Sequence, residues 1–151
     1  MMRRVTVAVV LMLAVAALIA PAVAGSDERY SYITVEDVTI QLVKEDAIIT
    51  MNYKIDDGIG FLVLLLGKSD LKRKVLDILN FEDAQIQIAD LEHAVVHANN
   101  VSNDYGRGSY WFPEHRFEVV VPSLTVIAPH STKCYTDVAE LTGGFGYFSI
   151  D

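Results

Sequence analysis

Three histidines are the strongest candidates for chemistry in this sequence. His93 and His97 are four residues apart, so they share one face in a helix and also in a strand. Glu92 precedes them, and His115 is available as a third ligand. Zinc needs three or four converging ligands, and the metalloprotease helix H-E-x-x-H has its glutamate after the first histidine, which is not the order found here. Surface histidines are therefore the favoured interpretation, and a metal site at His93, His97 and His115 is the alternative.

Other catalytic signatures are incomplete. The letters SDLK from Ser69 have the S-x-x-K spacing of serine β-lactamases and penicillin-binding proteins, but the companion S-D-N and K-T-G motifs are absent. The letters GKS ending at Ser69 resemble the end of a phosphate-binding loop, but Leu62 stands where the earlier glycine belongs. Cys134 is the only cysteine, which predicts a small buried strand residue and no internal disulfide. No catalytic residue and no cofactor is predicted.

Two candidate surfaces follow one another after residue 98. Residues 99–108 form a loop rich in Asn, Asp, Ser and Gly, which contains the sequon Asn-Val-Ser at Asn100, a candidate glycosylation site. Tyr110, Trp111 and Phe112 come next. These rings either alternate between core and solvent along a strand or form an exposed binding platform. Alternation is favoured, because adjacent strand residues face opposite ways.

The N-terminus has the pattern of a signal peptide. Arg3 and Arg4 precede a long apolar run, Pro21 interrupts it, and residues 22–24 form an A-x-A cleavage site. This predicts an exported protein, extracellular or at the cell surface, with residues 25–151 as one domain. Removing both arginines lowers the net charge from −8 to −10, which makes nucleic acid a poor partner. The alternative is an uncleaved anchor, since residues 5–23 approach the ~20 residues that span a bilayer; membrane contact is predicted only there.

The elements that position these residues centre on residues 58–81. Ser69 is the predicted N-cap and Asn80 the predicted C-cap of an amphipathic helix. The helix presents one apolar face, made of Leu71, Val75, Ile78 and Leu79. The apolar run at residues 61–66 predicts either a short buried helix, which is favoured, or a buried strand.

The rest of the domain has the patterns of strands and turns. Residues 31–43 and 47–55 predict a hairpin, with an irregularity near Asp37. Further strands are predicted at 84–90, 94–99, 117–128 and 132–138, and aromatics at 143–148 are expected to close the core. The predicted fold is α+β, an antiparallel sheet with a sandwich as one arrangement and one helical element packed on it; an all-β sandwich is the alternative.

Several of these features occur together in a known group of proteins. The leader, the run FLVLLLG at residues 61–67, the amphipathic helix and the aromatic segment YWFP at 110–113 resemble small exported proteins of methanogenic archaea that have no assigned function. The resemblance covers most of residues 25–151. It implies export and an archaeal host, but no activity and no site residues.

Taken together, the patterns predict an exported, non-enzymatic domain of the cell envelope or extracellular space with a binding or structural role. Its expected partner is an envelope protein or a glycan. One alternative is a metal-binding protein or metal-dependent hydrolase using the three histidines. The other is a membrane-anchored subunit that retains residues 5–23.

Overall fold

The computed structural model describes residues 30–149, so the predicted signal peptide lies outside the described residues. The described chain folds into two β-sheets and two helices. In chain order the elements are β1 (Ile33–Val43), β2 (Asp46–Ile55), α1 (Asp57–Leu66), α2 (Ser69–Leu79), β3 (Ala84–Ala89), β4 (His93–Ala98), β5 (Asn103–Asp104), β6 (Ser109–Phe112), β7 (His115–Ala128), β8 (Ser131–Leu141) and β9 (Phe145–Phe148).

The larger sheet has six strands in the order β3-β4-β2-β1-β7-β8. Neighbouring strands are antiparallel, except that β7 returns beside β1 in the parallel direction. The α+β class is confirmed, but the sheet is mixed rather than wholly antiparallel. Its parallel pair arises because the β1 edge left free by the first hairpin is filled by a strand that follows a long excursion. These pairings do not establish a sandwich.

The β1–β2 hairpin is the centre of this sheet. Its register shifts between Val35 and Asp37, where the sequence alternation is also irregular. The Asp37 carboxylate accepts a hydrogen bond of 2.9 Å from the Asn52 side chain across the pair. Beyond this bulge, Val38 and Ile40 are fully buried, so the shift sets the inward face of β1.

Helix α2 packs its predicted apolar face on the sheet. The four predicted residues, Leu71, Val75, Ile78 and Leu79, have no exposed surface. Asn80 is the C-cap in the left-handed conformation, and its N–H donates to Leu76. The predicted N-cap is wrong: Lys68 occupies that position without a side-chain hydrogen bond. Because α1 ends at Leu66, only Gly67 and Lys68 separate the helices, and Ser69 is already the first helical residue.

A smaller antiparallel sheet, β5-β6-β9, closes one end of the core. The aromatics that the sequence predicts to close the core lie on a strand, β9, with Phe145 and Tyr147 buried and Phe148 exposed. Gly144 precedes it with φ +53°, and a Cβ there would collide with the Phe112 carbonyl oxygen. The close approach of the two strands therefore requires glycine.

Cys134 lies in β8 as predicted, but it is exposed rather than buried. The strand is the outer edge of the larger sheet, and most of its residues face solvent on both sides. Position in a strand does not ensure burial when no layer covers that part of the sheet.

Candidate functional site

Helix α1 is apolar around most of its circumference, yet only a narrow strip of it contacts the domain. Gly60 and Val63 are its buried residues. The five large apolar side chains of the remaining surface are 43% to 80% exposed: Phe61, Leu62, Leu64, Leu65 and Leu66. A helix that is apolar on all sides is ordinarily buried in protein or in lipid. We call these five side chains the α1 face.

Local hydrogen bonds hold α1 in place at both ends. The Asp56 side chain caps the first turn by accepting from the Gly58 N–H at 3.3 Å. The Asp56 N–H in turn donates to the Tyr32 carbonyl at 3.1 Å, which ties the helix to the chain before β1. Gly67 ends the helix with φ +97°, and its N–H donates to Val63. The α1 face is thus presented by a helix with defined ends.

Positive charge is concentrated immediately after α1. Four of the chain's 12 Lys and Arg residues fall at Lys68, Lys72, Arg73 and Lys74. Lys68 donates to the Ala89 carbonyl at 3.0 Å, whereas Lys72 is exposed. An otherwise acidic protein therefore has a basic segment beside its most apolar surface.

Asp70 organises the first turn of α2 and links it to the start of β1. Its carboxylate accepts from the Tyr32 hydroxyl at 2.6 Å and forms ion pairs with Arg73 and Lys74. The Tyr32 hydrogen bond, supported by the two cations, lowers the pKa of Asp70. Burial and the Asp70 carboxylate raise the pKa of Tyr32. The cluster has a structural role: its hydrogen bond and ion pairs connect α2 to the start of β1, and each charged or polar group in it contacts another.

The first hairpin gives the domain two distinct ends. Ile33 pairs with Ile55, so the chain enters β1 at the end where α1 begins; we call this the α1 end. The opposite end, at the turn of the hairpin, is the turn end. The Asp46 side chain accepts there from the Asn100 N–H at 3.0 Å. Ten residues of β2 separate the two ends, a span of roughly 30 Å.

The structure does not bring the three predicted metal ligands together. His93 and His97 lie on β4, and His93 Nδ1 is 2.9 Å from the Asp90 carboxylate. His115 is packed against Phe81 with ring centroids 3.9 Å apart, and its Nε2 lies 2.8 Å from the Leu79 carbonyl oxygen. Within residues 30–149 no three His, Cys, Asp or Glu side chains are arranged to hold a metal ion.

The environment of His115 is that of a structural donor. Burial lowers the pKa of His115, although the hydrogen bond to Leu79 acts in the opposite direction. Since a carbonyl oxygen only accepts, Nε2 carries the proton in this arrangement. His115 therefore supplies one of the orphan carbonyls at the end of α2 with a donor.

The predicted aromatic surface is reduced to one ring. Tyr110 and Phe112 are buried and Trp111 is partly exposed, so the three alternate along β6. Trp111 lies opposite Gly146 of β9, and a Cβ on that glycine would lie 3.6 Å from the indole. Of the three rings, Trp111 is the one that a partner can contact.

The sequon at Asn100 lies at the turn end. Asn100 is exposed, with φ +52°. Ser102 is buried, and its hydroxyl is 2.8 Å from the Tyr147 hydroxyl, which also donates to the Lys44 carbonyl. The asparagine of the sequon thus faces solvent, while its serine belongs to the contact between the two sheets.

Sequence reasoning found α1 but not its exposure. The run at residues 61–66 is a helix, as favoured, but it is not buried. A run without polar residues predicts burial because water is costly for apolar surface.

No protein-family model, curated protein or solved structure matches this chain. Among the described residues, no helix has the length and hydropathy needed to cross a membrane. The surfaces of the described residues are therefore the basis for assigning a function.

Proposed function

We propose that the chain is an exported, non-enzymatic domain of the cell envelope, and that its role is to bind an apolar partner through the α1 face. The observation that carries this proposal is the exposure of five neighbouring large apolar side chains on one short helix. Monomeric proteins rarely leave such a surface in water without a use for it. His93 and His115, by contrast, make contacts within the domain.

The two ends of the domain support a place in the envelope. The described chain begins at the α1 end, where Ile33 pairs with Ile55, and residues 25–29 connect it in sequence to the predicted leader. The candidate glycosylation site at Asn100 lies at the turn end, with the polar loop at residues 99–108. A protein tethered or delivered at one end and facing outward at the other has this arrangement. The resemblance to exported archaeal proteins points the same way.

Photo-cross-linking in cells that naturally produce the protein tests this function. A photoreactive phenylalanine analogue replaces Leu65, which is 69% exposed on α1. The matched control replaces Tyr105, which is 72% exposed in the loop after β5 at the turn end. We expect abundant cross-links to envelope lipid or protein from position 65 and few from position 105.

Equal cross-linking from both positions would contradict the proposal, because it would show that the α1 face contacts the envelope no more than any exposed residue does. Circular dichroism of both variants checks that the substitutions leave the fold intact. Both side chains are largely exposed and have little packing to lose, so both variants are expected to fold.

A further inference from the structure

We infer that the partner of the α1 face is a phospholipid bilayer, and that α1 lies in the interface parallel to the membrane plane. This inference rests on the proposed function, since it names the partner of the same surface. It extends membrane contact beyond residues 5–23, the segment to which the sequence alone assigns it.

The dimensions of α1 fit a position in the membrane plane. Its ten residues make a helix of roughly 15 Å, half the ~30 Å of a hydrocarbon core, so α1 cannot cross a bilayer. Positions 61, 62, 65 and 66 cover adjacent parts of the exposed arc at about 100° per residue. Phe and Leu are the side chains that interfacial helices bury at the boundary between headgroups and acyl chains.

The charges around α1 fit phospholipid headgroups. Lys72 is exposed and follows the most exposed leucine, Leu66, after five intervening residues. Lysine buries its apolar stem and keeps its ammonium at the level of the phosphates, which makes it a frequent neighbour of inserted apolar residues. The net charge of −10 without the two leader arginines opposes long-range attraction to anionic lipid. Apolar insertion is therefore the main driving force, and zwitterionic lipid suffices.

The described chain begins close in sequence to the predicted leader. Six residues separate Val23 from Tyr30, a reach of at most about 20 to 25 Å. The Tyr32 carbonyl then accepts a hydrogen bond from Asp56 at the start of α1. The described chain therefore begins at the α1 end, beside the α1 face.

A second copy of the chain fits the α1 face less well. Five side chains exposed to this degree present several hundred Å² of apolar surface, on a helix with few polar groups to fix the orientation of a partner. A stable dimer of standard size buries about 800 Å² on each partner and has a polar rim with hydrogen bonds. A bilayer interface needs no such matching set of groups.

The depth of α1 in vesicles tests this inference on the full chain. In a Cys134→Ser background, Leu65→Cys carries a fluorescent label at α1, and Tyr105→Cys carries it at the turn end as the control. Each protein is reconstituted into phosphatidylcholine vesicles. Quenching by lipids brominated on the acyl chains reports insertion, and quenching by aqueous iodide reports exposure to water.

We expect the label at position 65 to be quenched by brominated lipid and shielded from iodide, and the label at position 105 to show the reverse. The comparison holds whether or not the leader is retained, because both positions are in the same chain. Replacing two further leucines of the α1 face, through Leu62→Gln and Leu66→Gln together, is expected to lower the ratio of inserted to free α1 by more than about tenfold, from the loss of apolar burial.

Two other outcomes separate this inference from the proposed function. If position 65 is quenched by iodide in vesicles but shielded in the envelope fraction, a protein covers the α1 face; the bilayer inference is then wrong and the proposed function stands. If position 65 remains open to iodide in both preparations, both proposals are wrong.

Discussion

Helices α1 and α2 are consecutive and nearly equal in length, but they place their apolar residues in different ways. In α2 the apolar residues form one face, and the four that pack on the sheet are fully buried. In α1 they occupy almost every position, and five large ones face outward. Gly67 and Lys68 alone separate the two helices.

This difference shows how each helix is stabilised. Packing against the sheet stabilises α2, because its apolar face leaves water when the domain folds. For α1, most apolar surface stays in water after the domain has formed. The free energy available from burying the α1 face is therefore still unused in the isolated chain, and a partner that covers it gains that free energy.

The largest expected difference between α1 and α2 is in the loss of stability when a leucine is replaced by alanine. Leu71→Ala in α2 removes a fully buried side chain, and we expect the free energy of unfolding to fall by about 3 kcal/mol. Leu65→Ala in α1 is expected to change it by less than about 0.5 kcal/mol, because the side chain is already exposed. Urea denaturation measures both. Similar losses in the two variants would mean that α1 is packed as tightly as α2.

The junction between the helices gives the next test. Gly67 has φ +97° and ψ 164°, a region that is nearly exclusive to glycine, so Gly67→Ala is expected to cost about 2 kcal/mol. Gly58 within α1 has ordinary space for a methyl group, so Gly58→Ala is expected to stabilise the protein by up to about 1 kcal/mol. Thermal unfolding of both variants would reveal opposite signs. If Gly67→Ala left the unfolding temperature unchanged, the junction would not depend on a backbone conformation that only glycine adopts.

A pH-dependent test addresses the end of α2. Because burial lowers the pKa of His115, the unfolded chain takes up a proton first as the pH falls below about 6.5. Stability is therefore complete above that pH and decreases as the pH falls toward the folded-state pKa. We expect His115→Gln to cost about 1 kcal/mol at pH 7 and to flatten this decrease.

His130→Gln is the matched control, because His130 is exposed in the β7–β8 turn. Denaturation midpoints between pH 7 and pH 5 compare the three proteins. If His130→Gln flattened the pH dependence and His115→Gln did not, the buried imidazole would not be its source.

The smallest expected effects come from replacing the aspartate in the first turn of each helix. Asp70 of α2 is about half exposed, with 47% of its side chain accessible, so Asp70→Asn is expected to cost less than about 1 kcal/mol at pH 7. Since the folded-state pKa of Asp70 is lowered, its contribution is present above about pH 4 and disappears as the pH falls through the folded value. Asp57→Asn in α1 should change stability by no more than about 0.5 kcal/mol.

Denaturant titrations at pH 7 and pH 3 measure both aspartate variants. The difference in stability between wild type and Asp70→Asn should shrink at pH 3. A difference that is equal at the two pH values would mean that the ion pairs and the Tyr32 hydrogen bond do not depend on the charge of Asp70.

The sequence predicts the local elements of this fold well where the spacing of apolar residues matches the burial that the structure shows. The face of α2, its Asn80 cap, the hairpin with its irregularity near Asp37 and the alternation at Tyr110 to Phe112 all follow from spacing. The parallel pairing of β1 with β7 does not, because strand order depends on contacts distant in sequence.

The candidate site was harder to predict, because the exposure of α1 depends on how little of the domain packs against it and not on the sequence of the helix itself. The turn at residues 67–69 favours a helix over residues 61–66, but nothing in those letters tells how much of the helix the domain covers. Cys134 shows the same effect on a strand, which is correctly placed but uncovered. Histidine spacing likewise failed to reveal that His115 is engaged by Leu79.

Hydrogen–deuterium exchange of α1 and α2, followed on the full chain with and without phosphatidylcholine vesicles, tests most directly whether the α1 face is an uncovered binding surface. Without vesicles, we expect the α1 amides to exchange much faster than those of α2, because little packing opposes local opening. With vesicles, α1 should become protected while α2 stays unchanged. Protection of α1 equal to that of α2 without lipid, and no change on adding it, would contradict this interpretation.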